Sequence, residues 1–558
     1  MKKFLKIDYL LYLFILIISL LFVADLFMFP GRPANFDSNF HISNIAQFSQ
    51  ILKQGEFPVI WMNNFANYGI PIGIFTHQLT NYLGGTINIF LQNPTLTYNI
   101  LVFLGIFLTG LFLYFFLRLY FPPWGSFLGI FIFTFTPNHI FNIYVRGAMP
   151  EVFSGIFVPL ILIALYLIVV RKKIYGYFLL SIFIAGLTLN HPMMLVVYSV
   201  FFIPYLFYLL LTNNLEKITQ IKILLSTGIF MILGLLATSY YILPLNLEIK
   251  YFYYGLIKDH LTGNSFLGLS NFIDPRWYYF TSSEIFPRGH VVKFGLLESL
   301  VIGIGFLYAV FTRFISKTKQ KQSILYFSLI SAAIIIFFNI SPSYILFKNL
   351  FFLNAIQFPW RFLSALIFIP PIIAAYLYTH FSNKLIFIVI IITVSILSFP
   401  QLYGKNFNVY PLESYYFSKV NDHSIMMNTI WTGRSEDYPS KIPQGQIIEG
   451  QGKIVSESLS NSSRKYKVKA NSDVRMVDHT FYFPGWNVYV DGVNTNIQFQ
   501  DPKYRGVITY NVPKGTHDVY VVFKDTKVRL LGKALTVFFT LLLAALFVFR
   551  KKWSKLVF

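Results

Sequence analysis

A carboxylate and an imidazole stand four residues apart in Phe36-Asp37-Ser38-Asn39-Phe40-His41, just past the first long apolar run. On a helix that spacing puts both groups on one face, at the level where water gives way to lipid. Chemistry on a lipid-linked substrate needs that location. Asp37 also reads as a helix cap, because Asp is favoured at that position and a helical pattern begins near Ser38. His41 either orients Asp37, contacts phosphate, or sits wet at the interface.

Other candidates fall at the ends of apolar runs. Glu151 opens one such run shortly after Arg146. A carboxylate there stabilises the helix N-terminus, or shares a divalent cation, Mg²⁺ or Mn²⁺, with Asp37. His191 lies in a turn between two runs that is too short to leave the mouth of a bundle. Arg361 follows Pro359-Trp360, where an arginine over aromatic surface suits a fixed phosphate clamp and equally suits interfacial snorkelling. Arg146 has the same two readings. Trp277, in Arg276-Trp277-Tyr278-Tyr279, is the candidate for reading an acceptor or a lipid headgroup. Trp61, Trp124 and Trp360 fit an interfacial aromatic belt.

The elements that must position these groups are membrane spans. The 558 residues are 55% hydrophobic, 19% aromatic and only 12% charged, with a mean hydropathy of +0.59, far from the balance of a soluble domain. Runs long enough to cross a hydrocarbon core of about 30 Å predict twelve spans, near 9–29, 97–119, 124–143, 151–170, 174–189, 192–211, 222–246, 294–313, 323–339, 361–379, 384–401 and 530–549. A shorter apolar piece at 79–92 reads as a re-entrant or interfacial helix. The first run is too long for a cleavable signal and lacks a small-residue cleavage site, so it is expected to stay as an anchor.

Charge sets the orientation. With the N-terminus inside, the short inner loops collect Lys2, Lys3, Lys6, Arg118, Arg171, Lys172, Lys173, Lys217, Lys222, Arg313 and the lysines of 317–321, and both termini lie inside. The net charge of +22 is then largely a topological signal directed at anionic lipid, not at nucleic acid. Acidic residues do the opposite. Of the eleven before residue 402, only Asp8 and Glu216 fall inside, so function is expected on the outer face. The chain has no cysteine, which excludes thiol chemistry and a disulfide framework and fits a bacterial plasma-membrane protein.

Three outer segments break the rhythm of short loops: 30–96, 247–293 and 402–528. The first carries an interfacial amphipathic helix, with apolar residues Ile42, Ile45, Phe48, Ile51 and Leu52 at helical spacing. It then runs through the turn-forming Tyr68-Gly69-Ile70-Pro71-Ile72-Gly73. The last begins with a tether to about 445. Strand-period runs follow at 464–470, 474–482, 486–490, 494–499, 505–511 and 516–524, with a hairpin signal at Asp491-Gly492. We expect a small extracytoplasmic β-sandwich there, between the membrane domain 1–401 and the last span with its basic tail, 529–558. Its 15 basic and 12 acidic residues nearly balance, so nothing marks it as a polyanion binder.

Several motifs carry a family resemblance. Asp37 to His41, Gly55-Glu56-Phe57-Pro58, Trp61, Asn64, Gly69 and Pro71 are similar to the first outer loop of bacterial membrane proteins of GT-C glycosyltransferase architecture. Arg146-Gly147-Ala148-Met149-Pro150-Glu151, Asn190-His191-Pro192, Tyr240-Tyr241-Ile242-Leu243-Pro244 and Gln357-Phe358-Pro359-Trp360-Arg361-Phe362 resemble the 6-pyruvoyl-tetrahydropterin synthase-related membrane family. Pro484-Gly485-Trp486-Asn487-Val488-Tyr489-Val490-Asp491-Gly492 and Val512-Pro513-Lys514-Gly515-Thr516-His517 resemble the exposed domain of YfhO-type proteins of the same superfamily. The pterin label is not expected to describe the chemistry, since no three histidines have zinc-ligand spacing on one element.

The resemblance implies transfer of a sugar from a polyprenyl-phosphate donor to a glycan, lipid or protein acceptor at the outer leaflet, with Asp37 in the first-loop acidic position as base. His41, Arg146, Glu151, His191, Arg361 and Trp277 are then substrate-binding candidates. An Asp base promoting direct attack gives inversion in one displacement. That family's first loop often pairs two acids, and Ser38 stands where the second would be. The alternatives are a non-catalytic envelope scaffold that binds glycan, and a transporter of lipid-linked glycan. Apolar spans with ionisable groups gathered at the outer rim disfavour translocation.

Overall fold

The computed structural model describes residues 2–63, 68–253, 266–273, 292–314, 322–354, 356–381, 384–398, 407–409, 429–432, 438 and 443–552. Trp277 and its neighbours lie outside them.

Among the described residues, seven helices are long and apolar enough to cross a membrane: Pro94–Leu117, Met149–Val169, Pro192–Thr212, Lys217–Leu236, Leu296–Arg313, Pro359–Phe381 and Lys527–Val548. Two bent pairs raise the number to nine, Pro123–Thr134 with Pro137–Arg146 (40°) and Ser323–Asn339 with Ser341–Asn349 (75°). Both bends fall near a proline, which cannot donate into the ladder: Thr136 directly before Pro137 is extended, and at the second break the extended residue is Ile340, two before Pro342. Three shorter apolar helices, Ile7–Phe22, Tyr175–Asn190 and Lys384–Leu397, stand where the remaining predicted runs lie. One apolar cluster threads the bundle, from Leu11 and Ile15 through Leu101, Ile161 and Phe201 to Ile372. The last helix exposes Leu530, Leu531, Val537, Phe538 and Leu541, an apolar surface made for lipid.

The first outer segment differs from expectation in an informative way. Its helix spans Ser38–Lys53 and ends before Gly55, which has a φ of 79°. It does not lie exposed on a lipid surface. Ile42 and Ile45 join the bundle core and Phe48 and Ile51 a second core, while the polar Ser43, Asn44, Gln47 and Ser49 are buried as well. The helix Gln78–Leu91 covers it. A Cβ on Gly84 would stand 2.7 Å from Ile45, and one on Gly85 2.8 Å from Phe48, so only glycine permits this close crossing. Asn88 donates to Ser49 Oγ (2.9 Å) and Asn44 to Thr76 Oγ1 (3.4 Å), which satisfies part of the polar face.

The C-terminal strands build two antiparallel sheets. Short strands β1 (Arg32–Pro33) and β2 (Phe407–Asn408) pair separately, tying the first segment to the stretch after residue 400. The five-stranded sheet has the order β4 (Gly452–Leu459), β5 (Ser463–Ala470), β10 (Gly515–Phe523), β7 (Trp486–Val490), β8 (Val493–Thr495). The three-stranded sheet has the order β3 (Gly445–Glu449), β6 (Val474–Phe481), β9 (Val507–Val512). Alternation on β5 buries Arg464, Tyr466, Val468 and Ala470 and exposes Lys465, Lys467 and Lys469. Tyr466, Val468, Met476, Val488, Tyr510 and Val521 share one core between the sheets. Asp491 and Gly492 both take positive φ (48° and 82°), as a tight turn from β7 to β8 requires. Strands β3 and β4 were not anticipated. They lie in the stretch read as tether and as the start of the β region, and β4 is an edge exposed along nearly its whole length, with Ile454 and Val455 side by side and no apolar alternation.

The β sheets seat on the first outer segment. Strand β6 is buried on both faces: one meets the inter-sheet core, and Val477 and Phe481 on the other join Phe48, Ile51, Val59, Met62, Tyr68 and Ile70. Trp61 packs edge-on to Trp486 (5.0 Å) and against Phe523 (5.1 Å), and Tyr68 stacks on Phe481 (4.9 Å). Asn461 donates to the carbonyl of Trp61 and to Glu56 (3.3 Å). Arg464 donates to Asn63 Oδ1 (2.5 Å) and lies 4.5 Å from the Trp486 ring.

Candidate functional site

The site forms where the first outer segment meets the break between two spans. After the bent Pro137 helix the chain runs as a π-helical turn, Phe141–Arg146, and reverses at Gly147, which has a φ of 73°. Such turns recur at functional positions because the extra residue frees backbone groups for other partners. Here the partners come from the first segment. The amide of Phe36 donates to Val145 O (3.3 Å) and that of Asp37 to Arg146 O (2.7 Å), and Asn35 Nδ2 donates to Ile143 O (3.1 Å). A Cβ on Gly147 would lie 2.7 Å from the amide nitrogen of Ser38, so this approach requires glycine.

Glu151 is the hub. It is 5% exposed and accepts two hydrogen bonds from Arg146, Nη1 to Oε2 at 2.6 Å and Nη2 to Oε1 at 2.8 Å. Arg361 Nε stands 3.1 Å from Oε1. This bidentate geometry fixes a guanidinium plane more firmly than a single contact does. Arg146 also donates to Asn142 Oδ1 (2.8 Å) and lies over Trp360 (4.8 Å from the ring centroid), while Arg361 lies over Phe358 (5.3 Å) and points Nη1 at Met193 Sδ (2.9 Å).

A row of imidazoles leads away from this hub. His191 Nε2 is 3.9 Å from Glu151 Oε1, the His191 and His77 rings are 4.6 Å apart, and those of His77 and His41 5.6 Å. His77 Nδ1 pairs with the Asn190 carbonyl (3.1 Å), and the Asn190 amide donates to Pro150 O (2.8 Å) and Ser154 Oγ (2.7 Å). Burial penalises the charged imidazolium and pushes both His41 and His77 down to about 3, so they are neutral at ordinary pH.

Asp37 stands at the N-cap of Ser38–Lys53 with αR backbone (φ −103°, ψ −16°), and its side chain makes no capping hydrogen bond. It is half-buried, and its charge is felt by Arg146 and Tyr98. Tyr98 in turn donates to Gly147 O (3.1 Å).

Six of the residues singled out from sequence, Asp37, His41, Arg146, Glu151, His191 and Arg361, therefore gather in one neighbourhood. Trp277 is outside the described residues. The divalent cation expected between Asp37 and Glu151 does not fit the groups present: guanidinium nitrogens flank both Glu151 oxygens, so an added ion would face two positive charges. No group of three or more His, Cys, Asp or Glu among the described residues could hold a metal. Sequence reasoning missed His77, Trp360 as the platform for Arg146, and Asn190 as the brace of the turn. His77 follows the Gly/Pro stretch without any periodic pattern, whereas Asn190 and Trp360 flank residues already singled out.

Two solved structures of the Archaeoglobus fulgidus oligosaccharyltransferase resemble this chain weakly. The complex with Zn and sulfate matches with a TM-score of 0.40 and 15% identity over 71% of this chain and 54% of its own. The apo form matches with a TM-score of 0.37 and 14% identity over 70% and 55%. This chain spans about half the length of those structures. No curated protein sequence matches it. The model of a membrane-protein family described as 6-pyruvoyl-tetrahydropterin synthase related matches residues 77–404, more than half of the 558, and the chain belongs to that family.

Proposed function

We propose that this protein is a membrane glycosyltransferase of GT-C type, moving a sugar from a polyprenyl-phosphate donor to an acceptor at the outer face of a bacterial plasma membrane. The observation that carries the reading is the attachment of Asp37 to Arg146: a half-buried carboxylate whose own amide is bonded to the backbone of a clamped arginine. Asp37 accepts the proton of the acceptor hydroxyl, the acceptor oxygen bonds to the anomeric carbon, and the bond from that carbon to the phosphate oxygen breaks on the opposite side. One displacement inverts the centre. The leaving phosphate gains charge as the bond breaks, and Arg146 and Arg361 are held in advance to receive it, with two positive charges against the single charge of Glu151. Glu151 is a positioning residue in this scheme. The neutral imidazoles of His41 and His77 bind and orient without adding charge.

The test is transfer from a panel of radiolabelled polyprenyl-phosphate sugars by the purified protein. Asparagine keeps nearly the volume of aspartate and is as good a helix cap, so Asp37→Asn is expected to leave folding within a few tenths of a kcal/mol while lowering turnover about 10²-fold or more. Undiminished transfer by Asp37→Asn would remove it as base. Failure of the wild type with every donor would favour the scaffold reading, to which the broad seating of the β sheets on the first segment also lends support.

A further inference from the structure

The outward face of the five-stranded sheet presents a feature that folding does not require. Its inward face already supplies the shared core, yet Tyr489 and Tyr520 point the other way. They are direct register partners on β7 and β10, and neighbours in that position have Cβ atoms about 5 Å apart. Lys465, the partner of Tyr520 on β5, brings Nζ within 5.6 Å of its ring centroid. Lys524 donates to Tyr489 Oη (2.8 Å) and lies 4.5 Å from that ring. The rings are thus braced from both sides, and they floor an open concavity of about 850 Å³, within the size range of ligand sites.

We propose that this face is a binding platform for a neutral saccharide chain, distinct from the Asp37 cluster. The aromatic pair offers two adjoining π faces, whose negative quadrupole attracts the C–H face of a pyranose ring. The charges decide the class of occupant. Lys465, Lys467 and Lys524 in the lining are matched by Glu457, Asp491 and Asp518. Balanced charge gives a polyanion no net attraction, whereas sugar hydroxyls both donate to carboxylates and accept from ammonium groups. Asp491 is held ready by His517 Nδ1 (2.6 Å) and by the Asp518 amide (2.8 Å).

The experiment is calorimetric titration of the full-length protein in lipid nanodiscs with maltohexaose, cellohexaose and chitohexaose, and with polyphosphate as the polyanion, no lipid-linked donor being present. At least one hexasaccharide is expected to bind. The double variant Tyr489→Ala, Tyr520→Ala should weaken that binding about tenfold or more, and Tyr489→Phe, Tyr520→Phe, which keeps both ring faces and controls for folding, should stay within about threefold. Binding by polyphosphate alone, no binding by any hexasaccharide, unchanged affinity in the alanine pair, or equal losses in the alanine and phenylalanine pairs would each overturn the platform. Because no donor is present, the outcome is independent of whether the protein proves to be a transferase.

Discussion

Glu151 is surrounded by the groups that most need it. Arg146 and Arg361 are 9% and 7% exposed, and a buried ion pair that loses one partner leaves the other charge without compensation. Glu151→Gln keeps the shape and removes the charge, so it is expected to cost about 3–5 kcal/mol of stability, read by denaturant unfolding in detergent. Mg²⁺ or Mn²⁺ should leave the melting temperature of the wild type unchanged. A saturable rise that vanishes in Glu151→Gln would show instead that the carboxylate serves a cation.

The imidazoles give this site a pH signature. His41 and His77 fall from 6.5 to about 3 on folding because burial penalises their charged forms. A folded-state pKa below the unfolded one means that the unfolded chain binds protons first as pH falls. The stability contribution is therefore complete above about pH 6.5 and drains away between there and about 3, by up to about 1.4 kcal/mol per pH unit for each group. Melting temperatures at pH 7.5, 6 and 5 should decline along that slope, and His77→Gln should flatten it. An unchanged slope in His77→Gln would remove that imidazole from the account.

At the scale of elements, the segment between the first and second long helices is the joint of the molecule. Trp61 has no exposed surface and lies between Trp486 and Phe523. Trp61→Ala is expected to cost about 3–5 kcal/mol, and to appear as faster amide exchange in β6 and around Tyr68 while the bundle helices stay protected. Uniform loss of protection would mean that sheets and bundle unfold as one unit. How far this joint could be read in advance depends on the pattern involved. The apolar stripe from Ile42 to Leu52 marked a helix and its start at Ser38, but periodicity describes only one face. It cannot say that Ser43, Asn44 and Gln47 on the other face would be covered too. That cover comes from Gly84 and Gly85, where smallness permits a crossing that hydropathy does not register. Likewise, β5 to β10 show alternation or turn chemistry in the sequence, whereas β4 gains its place only by pairing with β5. Glu151 and Arg146 were each legible as outer-rim charges. Their bidentate union depends on the π turn and on Gly147, a conformation invisible in spacing alone.

At the scale of the whole molecule, two ion pairs and one helix measure the protein against a membrane. Arg118 pairs with Asp8 (2.9 Å) just beyond the end of Pro94–Leu117, while Tyr98 near the start of the same helix touches Gly147 in the site. Twenty residues at about 1.5 Å each separate Tyr98 from Arg118 by about 30 Å, the thickness of a hydrocarbon core. The Asp37 cluster and the Asp8–Arg118 pair thus stand at opposite levels. Glu248 and Arg529 (2.9 Å) join the end of Ser239–Glu248 to the start of the last helix, beside Pro484 of the β region, whose carbonyl accepts from Arg529 Nη2 (2.9 Å). The proposed orientation, with the site outside, expects the short basic loops at the Arg118 level to face the cytoplasm. Because the native chain has no cysteine, Gln54→Cys and Asn494→Cys, both at exposed positions, should react with an impermeant thiol reagent applied to intact cells. Lys173→Cys, exposed after the far end of Met149–Val169, should react only after the membrane is opened. Labelling of position 173 in intact cells, with positions 54 and 494 silent, would invert the orientation and put the Asp37 cluster on the cytoplasmic side, where a donor displayed in the outer leaflet would be out of its reach.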